Sequence, residues 1–526
     1  MSFTLYDTRQ KSLVPFVPRL PGKVSIYNCG PTVYGVCHIG NFRSFLFADL
    51  LRRYLEWRGF EVRQVMNITD VGHLTEDDRA DAGGEDKLQG KARELGWDPY
   101  RVARHFEERF HSDRKALGIQ DAHVYPRATE HVTDMLVQIQ RLLDRGHAYI
   151  PSGSGEVYFD ISTFPEYGQL SGKSLEDLRA GARVEINALK RHPADFALWK
   201  VDAGHLMQWD PQAESLWQDR AGGRPRLDPG IGKGFPGWHI ECSAMSEHYL
   251  GTEFDLHTGG EDNMFPHHEC EIAQARGAHD AAFARHWMHT RHLLVNGSKM
   301  SKSAGTLYTL EDIVARGYRP LELRYFLIAN HYRQPMNFTP DGLVAARAST
   351  QRLQNARNTL AERAQGETVS DGSPRAEVAA RIAAFERDFG AGLDDDLNIS
   401  NALAALFAFV ADSHRLEPTP HDAAHLLAAL DRADHVTGVL NRDAGKTGVI
   451  SKRELDAAPP LALDAAGLAA LLAAELSAAQ LEKLALARHQ ARRQKDWPTA
   501  DAIRNHLQKS GVLFEDTPDG VRYKLP

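Results

Sequence analysis

Residues 29–41, CGPTVYGVCHIGN, decide how the first half of the chain folds. The run before them, VSIY at 24–27, has the alternation of a buried strand. After them, residues 41–59 place Phe42, Leu46, Leu50 and Tyr54 at i, i+4 spacing. That predicts an amphipathic helix closed by Gly59. A second strand pattern, EVRQVM at 61–66, follows. The whole reads as a βαβ unit with HIGN (38–41) on its strand-to-helix turn. In such folds this turn lies at the carboxyl ends of the strands, where phosphates meet helix N-terminal amides.

Far downstream, VNGSKMSKS at 295–303 follows another apolar run, HLLV at 292–295. Between the two stand GWHIECSAM at 237–245 and FPHHECE at 265–271. HIGN followed by KMSKS resembles the class I aminoacyl-tRNA synthetases. The intervening segments, with Cys29 ahead of HIGN, narrow the resemblance to the cysteinyl-tRNA synthetase family, and it runs over nearly the whole chain. It implies an α/β fold: a class I Rossmann-like catalytic domain with a connective insertion, then an α-helical bundle and a small C-terminal helical and hairpin module that binds the tRNA anticodon. The implied activity is that of an ATP-dependent, AMP-forming ligase. It activates L-cysteine to cysteinyl-adenylate, releasing pyrophosphate, and transfers the cysteine to the 3′ end of tRNA(Cys).

Composition is consistent with this. A chain of 526 residues is long for one core and predicts two to four domains. Hydrophobic content of 42% and charged content of 25% are ordinary for a globular protein. No run of about 18 apolar residues marks a membrane span, and the N-terminus lacks a signal-peptide layout. The four cysteines, Cys29, Cys37, Cys242 and Cys270, all fall in or beside the motifs. This favours metal or catalytic use in a reducing cytoplasm over a disulfide framework. The formal net charge of −8 argues mildly against a nucleic-acid partner, but a local basic stripe is what meets phosphates.

The expected organisation places the two halves of the Rossmann-like domain at 1–120 and 233–320, with the connective insertion at 121–232. A helical bundle is expected at 321–441, a linker at 442–465 and the C-terminal module at 466–526. Within these, 85–118 reads as polar helix, and strands are expected at 157–160, 195–200 and 254–257. Residues 201–232, rich in Gly, Pro and Asp, read as a surface loop longer than the family's usual one. Pro266 is expected to open a helix through Ala273. Further helices are expected at 341–366, 376–391 and 398–415, with a break at 416–421. The C-terminal module reads as two helices and a short hairpin.

His267 and Glu271, four apart on the expected helix, leave it on one face. The resemblance assigns Cys29, Cys242, His267 and Glu271 as ligands of one Zn²⁺, a chemically sensible set of two soft thiolates, an imidazole and a carboxylate. The thiolate of the substrate would enter as a fifth contact. That explains specificity, because an apolar pocket separates near-isosteres by only about 10²-fold, whereas faithful charging without editing needs about 10⁴–10⁵. A metal that ionises and binds sulfur rejects a serine hydroxyl. A purely structural zinc is the alternative, but the CxxC pairs usual at such sites are absent. Cys270, at i+3 from His267, could compete with Glu271. Cys37 is expected to pack as a small apolar residue.

The resemblance places His38, Gly40, Asn41, Lys299 and Lys302 in the chemistry. His38 and Asn41 meet the ATP phosphates, Gly40 lets the nucleotide approach, and the two lysines swing in on a loop loosened by Gly297. Catalysis is then positioning plus stabilisation of developing phosphate charge. Asp262 is implied near the ribose, and Thr69, Trp238 and His257 at the amino-acid pocket. HIGN lacks the second His of the commoner HIGH, so Asn41 can donate a hydrogen bond but carries no charge. Mg²⁺ is expected with ATP.

In the tail, Arg488, His489, Arg492, Arg493, Lys495, Trp497, Arg504 and Lys509 supply charge and an aromatic ring for phosphates and an unstacked base of tRNA. A solvated helix face is the alternative. The chain is expected to act as a monomer away from membranes. The nearest enzymatic rival is the cysteine:amino-sugar ligase of mycothiol synthesis, against which the tail from 466 speaks. A tRNA-binding but inactive paralogue is the rival of another kind.

Overall fold

The βαβ unit forms as its pattern predicts. Strand Lys23–Asn28 runs parallel to strand Glu61–Met66 in the register Lys23 to Glu61 through Asn28 to Met66, with helix Ile39–Trp57 between them. The structure, a computed structural model, describes residues 3–74, 84–173, 188–220, 223–300, 305–364, 366–367, 369, 372–441, 447–457, 465–473, 477–517 and 520–524. Strands Glu253–Gly260 and Phe283–Thr290 complete a parallel sheet in the order 283–290, 253–260, 23–28, 61–66. The sequence order reverses across the middle of this sheet, which puts a crevice at the carboxyl ends of its central strands.

Helix Ile39–Trp57 was expected to be amphipathic, and Phe42, Leu46, Leu50 and Tyr54 are indeed buried. Arg43, Asp49 and Arg52 are buried too: Arg43 donates to the Arg291 and Gln334 carbonyls, Arg52 to the Asp121 carbonyl, and helices Pro320–Ile328 and Pro420–Thr437 pack on the side of Asp49. Arg324, fully buried, joins these layers. It donates to Asp49 (2.6 Å), to the Thr437 carbonyl (2.7 Å) and to the Leu117 carbonyl (3.2 Å). Burial opposes the Asp49 charge, but Arg324 and Arg53 outweigh it and hold the carboxyl below its ordinary value.

Helices Lys87–Leu95 and Pro99–Ala116 account for the polar helical stretch. The insertion centres on an antiparallel sheet of Ala148–Tyr149, Val157–Phe159, Phe196–Lys200 and Phe235–Pro236. The stretch 201–232 differs from a bare surface loop. Met207, Trp217, Leu227 and Ile231 are buried, Trp217 donates to the Pro211 carbonyl (3.0 Å), and Trp199 donates to that of Gly232 (2.9 Å). Its anchors enter the core singly, so no periodicity announces them. Pro266 does not open the following helix. It lies in a π-type turn, Met264–His268, and the α-helix is Glu269–Ala278.

Helices Pro340–Ala364, Ala376–Asp394, Ile399–Arg415 and Pro420–Thr437 pack on one another beyond strand Met336–Phe338. The last part has its own hydrophobic core, with Ile450, Leu481, Leu484, Ile503, Leu507 and Tyr523. Its sheet has the order 447–451, 520–524, 513–517. Strand Thr447–Ser451 and helix Lys452–Ala457 thus lie inside the stretch expected as linker, and pairing of Thr447–Ser451 with Gly520–Lys524 is the reason. Among the described residues, three helices rather than two, Ala465–Ala473, Ala478–Arg493 and Trp497–Lys509, lie between 465 and the hairpin.

Candidate active site and metal centre

His38 caps helix Ile39–Trp57. Its Nδ1 accepts from the Asn41 amide (3.3 Å), while the Asn41 Oδ1 accepts from the His38 amide (3.0 Å). Asn41 thus closes a reciprocal capping box. Because Nδ1 accepts, the His38 proton sits on Nε2, leaving that donor and the Asn41 Nδ2 for an anion at the helix N-terminus. Burial pulls the His38 imidazole below its ordinary value, and Asp262 nearby opposes this.

The two motif halves meet here. A Cβ on Gly40 would lie 2.3 Å from the Met300 Cε, and the Ile39 amide donates to the Tyr308 carbonyl (2.8 Å). Lys299 ends the short strand Ser298–Lys299. Lys302 lies outside the described residues.

Three chain segments bring Cys29, Cys242, His267 and Glu271 together. Cys29 follows the strand end at Asn28, and Cys242 lies in helix Trp238–Leu250. His267 lies in the π-type turn, and Glu271 in the first turn of the next helix. All four are buried, and their donor atoms lie within 4.8 Å of one another. Ligands at about 2.0–2.3 Å around one tetrahedral zinc would be spaced so, and the two-thiol, imidazole and carboxylate set suits that ion. The residues fit.

The groups of the cluster shift one another's ionisation. Burial raises Glu271, but His257 and His267 bring it down to about 2. Burial lowers His267, yet Glu271 and Cys242 lift it to about 10. Burial also opposes ionisation of Cys242, but the hydrogen bond from Cys29, with His267 alongside, draws it down to about 6.

Behind these four residues stands a layer that sequence reasoning mostly missed. The His257 Nε2 lies 2.7 Å from the Glu271 Oε2, and its ring stacks on Trp287 at 4.5 Å. His257 therefore backs the Glu271 carboxylate. The His268 Nε2 lies 3.1 Å from the Cys29 Sγ and its Nδ1 is 2.7 Å from the His289 Nε2. With Cys29, His257 and Glu271, His268 makes an overlapping second donor group. The doubled His of FPHHECE was the available signal. Cys270 joins neither group; its Sγ lies 3.3 Å from the Tyr167 hydroxyl, and burial pushes its thiol up.

Thr69 donates to the Glu241 Oε2 (2.8 Å) and accepts from the Asn67 Nδ2 (3.0 Å). Asp262 is exposed in the turn after strand Glu253–Gly260. Trp238, half-buried, stacks on His267 at 4.2 Å. Cys37 is buried, as expected of a small apolar residue.

The basic residues of the tail do not form one open stripe. Arg488 donates to Asp516 (2.7 and 2.9 Å) and sits over the Phe514 ring, and Arg492 donates to Asp516 (2.8 Å). His489 (2.9 Å) and Arg493 (3.5 Å) pair with Asp456, and Arg504 with Asp501 (3.0 Å). Most of these acids come from elements distant in sequence, so the basic residues show in the sequence without their partners. Trp497 remains 55% exposed.

Fold and paired motifs define a class I aminoacyl-tRNA synthetase. Residues 15–348 match the family model described as tRNA synthetases class I (C) catalytic domain. Solved structures share the fold. One is a LeuRS–tRNA–LeuAMS ternary complex of Agrobacterium radiobacter, with TM-score 0.55, 12% identity, and 81% of this chain and 85% of that one covered. Another is the methionyl-tRNA synthetase of Mycobacterium tuberculosis bound by methionyl-adenylate, with TM-score 0.50, 15% identity, and 79% and 90% covered. Within that class the chain belongs to the cysteine–tRNA ligase family. It is 44% identical to the cysteine–tRNA ligases of two strains of Thermus thermophilus, over the full length of each chain. It is 40% identical to that of Deinococcus radiodurans, with 99% of this chain and 97% of the relative aligned.

Proposed function

We propose that the protein is an ATP-dependent, AMP-forming cysteine–tRNA ligase with one Zn²⁺ held by Cys29, Cys242, His267 and Glu271, and with Mg²⁺ accompanying ATP. The observation that carries this reading is the buried two-thiol, imidazole and carboxylate cluster in a chain of this family. When bound, the zinc supplies a soft Lewis acid that selects a thiol over an alcohol.

The remaining work falls to the protein's own groups. The His38 Nε2–H, the Asn41 Nδ2 and the helix N-terminus offer donors to the phosphates, and Lys299 and Lys302 add positive charge as pyrophosphate leaves. Asp262 and Thr69 complete the nucleotide and amino-acid contacts. The module from 447 onward, with exposed Trp497, reads the tRNA anticodon. The protein works as a monomer in the cytoplasm, and among the described residues no helix is long and apolar enough to cross a membrane.

The amino-sugar ligase alternative is disfavoured because the match to cysteine–tRNA ligases extends through the C-terminal module. The test is cysteine-dependent ATP–pyrophosphate exchange and charging of tRNA(Cys), with metal analysis of the same sample. One zinc per chain and both activities are expected. A zinc-loaded protein that exchanges pyrophosphate but joins cysteine only to an amino-sugar would overturn the reading.

A further inference from the structure

His73 follows strand Glu61–Met66 by seven residues and plays no part in the site assembled above. Its ring stacks face to face on Trp238, at 4.1 Å between centroids and 8° between planes. His267 stacks on the same indole at 4.2 Å and 23°. Two rings this close cannot share one face of an indole, so Trp238 is sandwiched between a metal-site histidine and His73.

The His73 ring is itself clamped. The Lys87 Nζ lies 2.7 Å from its Nε2, and the Thr32 Oγ1 lies 2.8 Å from its Nδ1. A lysine ammonium can only donate, so Nε2 accepts and the ring proton sits on Nδ1, facing Thr32. Burial, and then the Lys87 charge, hold the imidazole well below its ordinary value, in keeping with that neutral form. The backbone is fixed on the same side. The Gly72 amide donates to the Asp86 Oδ2 (2.9 Å), and the Lys87 amide to the His73 carbonyl (2.9 Å). Gly72 also packs so closely on the segment leading into Trp238 that a Cβ there would lie 2.6 Å from the Pro236 carbonyl oxygen.

We propose that His73 is a positioning residue for the cysteine pocket: held by Thr32 and Lys87, it fixes the plane of the Trp238 indole against His267. The proposal deepens the cysteine-activation reading and rests on it. A fixed indole leaves the substrate side chain one geometry, whereas a loose one must be ordered at the moment of binding. The effect therefore belongs in cysteine affinity and not in the chemical step.

The test uses the full-length, zinc-loaded protein in cysteine-dependent ATP–pyrophosphate exchange. A stacked ring pair is worth about 0.5–1.5 kcal/mol, so His73→Ala should raise the KM for cysteine by about 2- to 12-fold. The kcat, the KM for ATP and the zinc content should stay near wild type. His73→Phe, which keeps the stack and loses both ring hydrogen bonds, should recover most of the affinity, and His73→Asn should not. Lys87→Met should shift the cysteine KM in the same direction by less. An unchanged cysteine KM in His73→Ala, equal loss in His73→Phe and His73→Ala, or loss of zinc with His73→Ala would each overturn the proposal. Wild-type protein without cysteine-dependent exchange would instead remove the underlying reading, and the proposal with it.

Discussion

Substituting Gly40 by alanine tests whether the two motif halves act as one device. Gly40 lies in the first turn of helix Ile39–Trp57 and has no positive φ, so alanine suits the backbone. By helix propensity the change is stabilising, by up to about 1 kcal/mol. The conflict is local. The new methyl would stand 2.3 Å from the Met300 Cε and 3.0 Å from the His38 ring, against an ordinary contact of at least 3.4 Å. Met300 must withdraw by about 1.1 Å, and it sits directly after Lys299. A displacement of about 1 Å in a positioning element can cost about 10²-fold in rate, or about 2.7 kcal/mol. Gly40→Ala should therefore fold with undiminished thermal stability while kcat for pyrophosphate exchange falls about 10²-fold. Adding Met300→Ala should restore at least about tenfold, because it removes the closer of the two conflicts. Full activity in Gly40→Ala would refute the reasoning. So would a double variant with no recovery and a raised KM for ATP, which would move the conflict to the nucleotide.

The metal assignment predicts that Cys242→Ser and Glu271→Gln lose zinc and cysteine activation, while Cys270→Ala keeps both. Metal analysis showing the reverse for Glu271 and Cys270 would exchange their roles. His268→Leu removes the group beside Cys29, and chelator competition should show zinc affinity reduced by about 10- to 100-fold; an unchanged affinity would make His268 a packing residue. Arg324→Met leaves Asp49 buried beside Arg53 alone, and urea unfolding should show a loss of about 3–5 kcal/mol. Since the folded Asp49 pKa is depressed, its contribution is present above the unfolded value of about 3.9 and fades as pH falls through the folded value. Finally, removal of residues 447–526 should leave pyrophosphate exchange near wild type and lower tRNA charging steeply, with a shallower salt dependence of tRNA binding. Intact charging would deny the module its role. The cut belongs before strand Thr447–Ser451, since one at 466 would strip that strand from its partner Gly520–Lys524.

What could be read from sequence was whatever announces itself through local pattern. The first βαβ unit shows in its alternation and i, i+4 spacing, and the approach of His267 to Glu271 in their four-residue offset. Long-range pairing was less legible. Strand Met336–Phe338 is too short to show a period, yet it lies parallel to Leu293–Val295. The C-terminal module is only partly legible for the same reason. Its first strand is recruited by a partner much later in the chain, and Arg488, Arg492 and Arg493 pair with Asp516 and Asp456 from neighbouring elements. The His73–Trp238–His267 stack also joins three segments that share no local signature.

The convergence of distant residues at the metal cluster imposes a requirement that sequence does not state. With the proposed zinc bound, two thiolates and a carboxylate around the dication would leave about one net negative charge, and any further buried charge would need its own compensation. The surrounding imidazoles avoid adding one. Burial holds His239, His268 and His289 below their ordinary values, so at neutral pH they contribute hydrogen bonds without charge. His268 can then bridge Cys29 and His289, and His289 can reach the Thr8 Oγ1 at 2.9 Å. A layer of neutral, packed rings would orient the four proposed ligands without competing with a metal for their charge, as an orienting layer around a soft, thiol-selecting centre must.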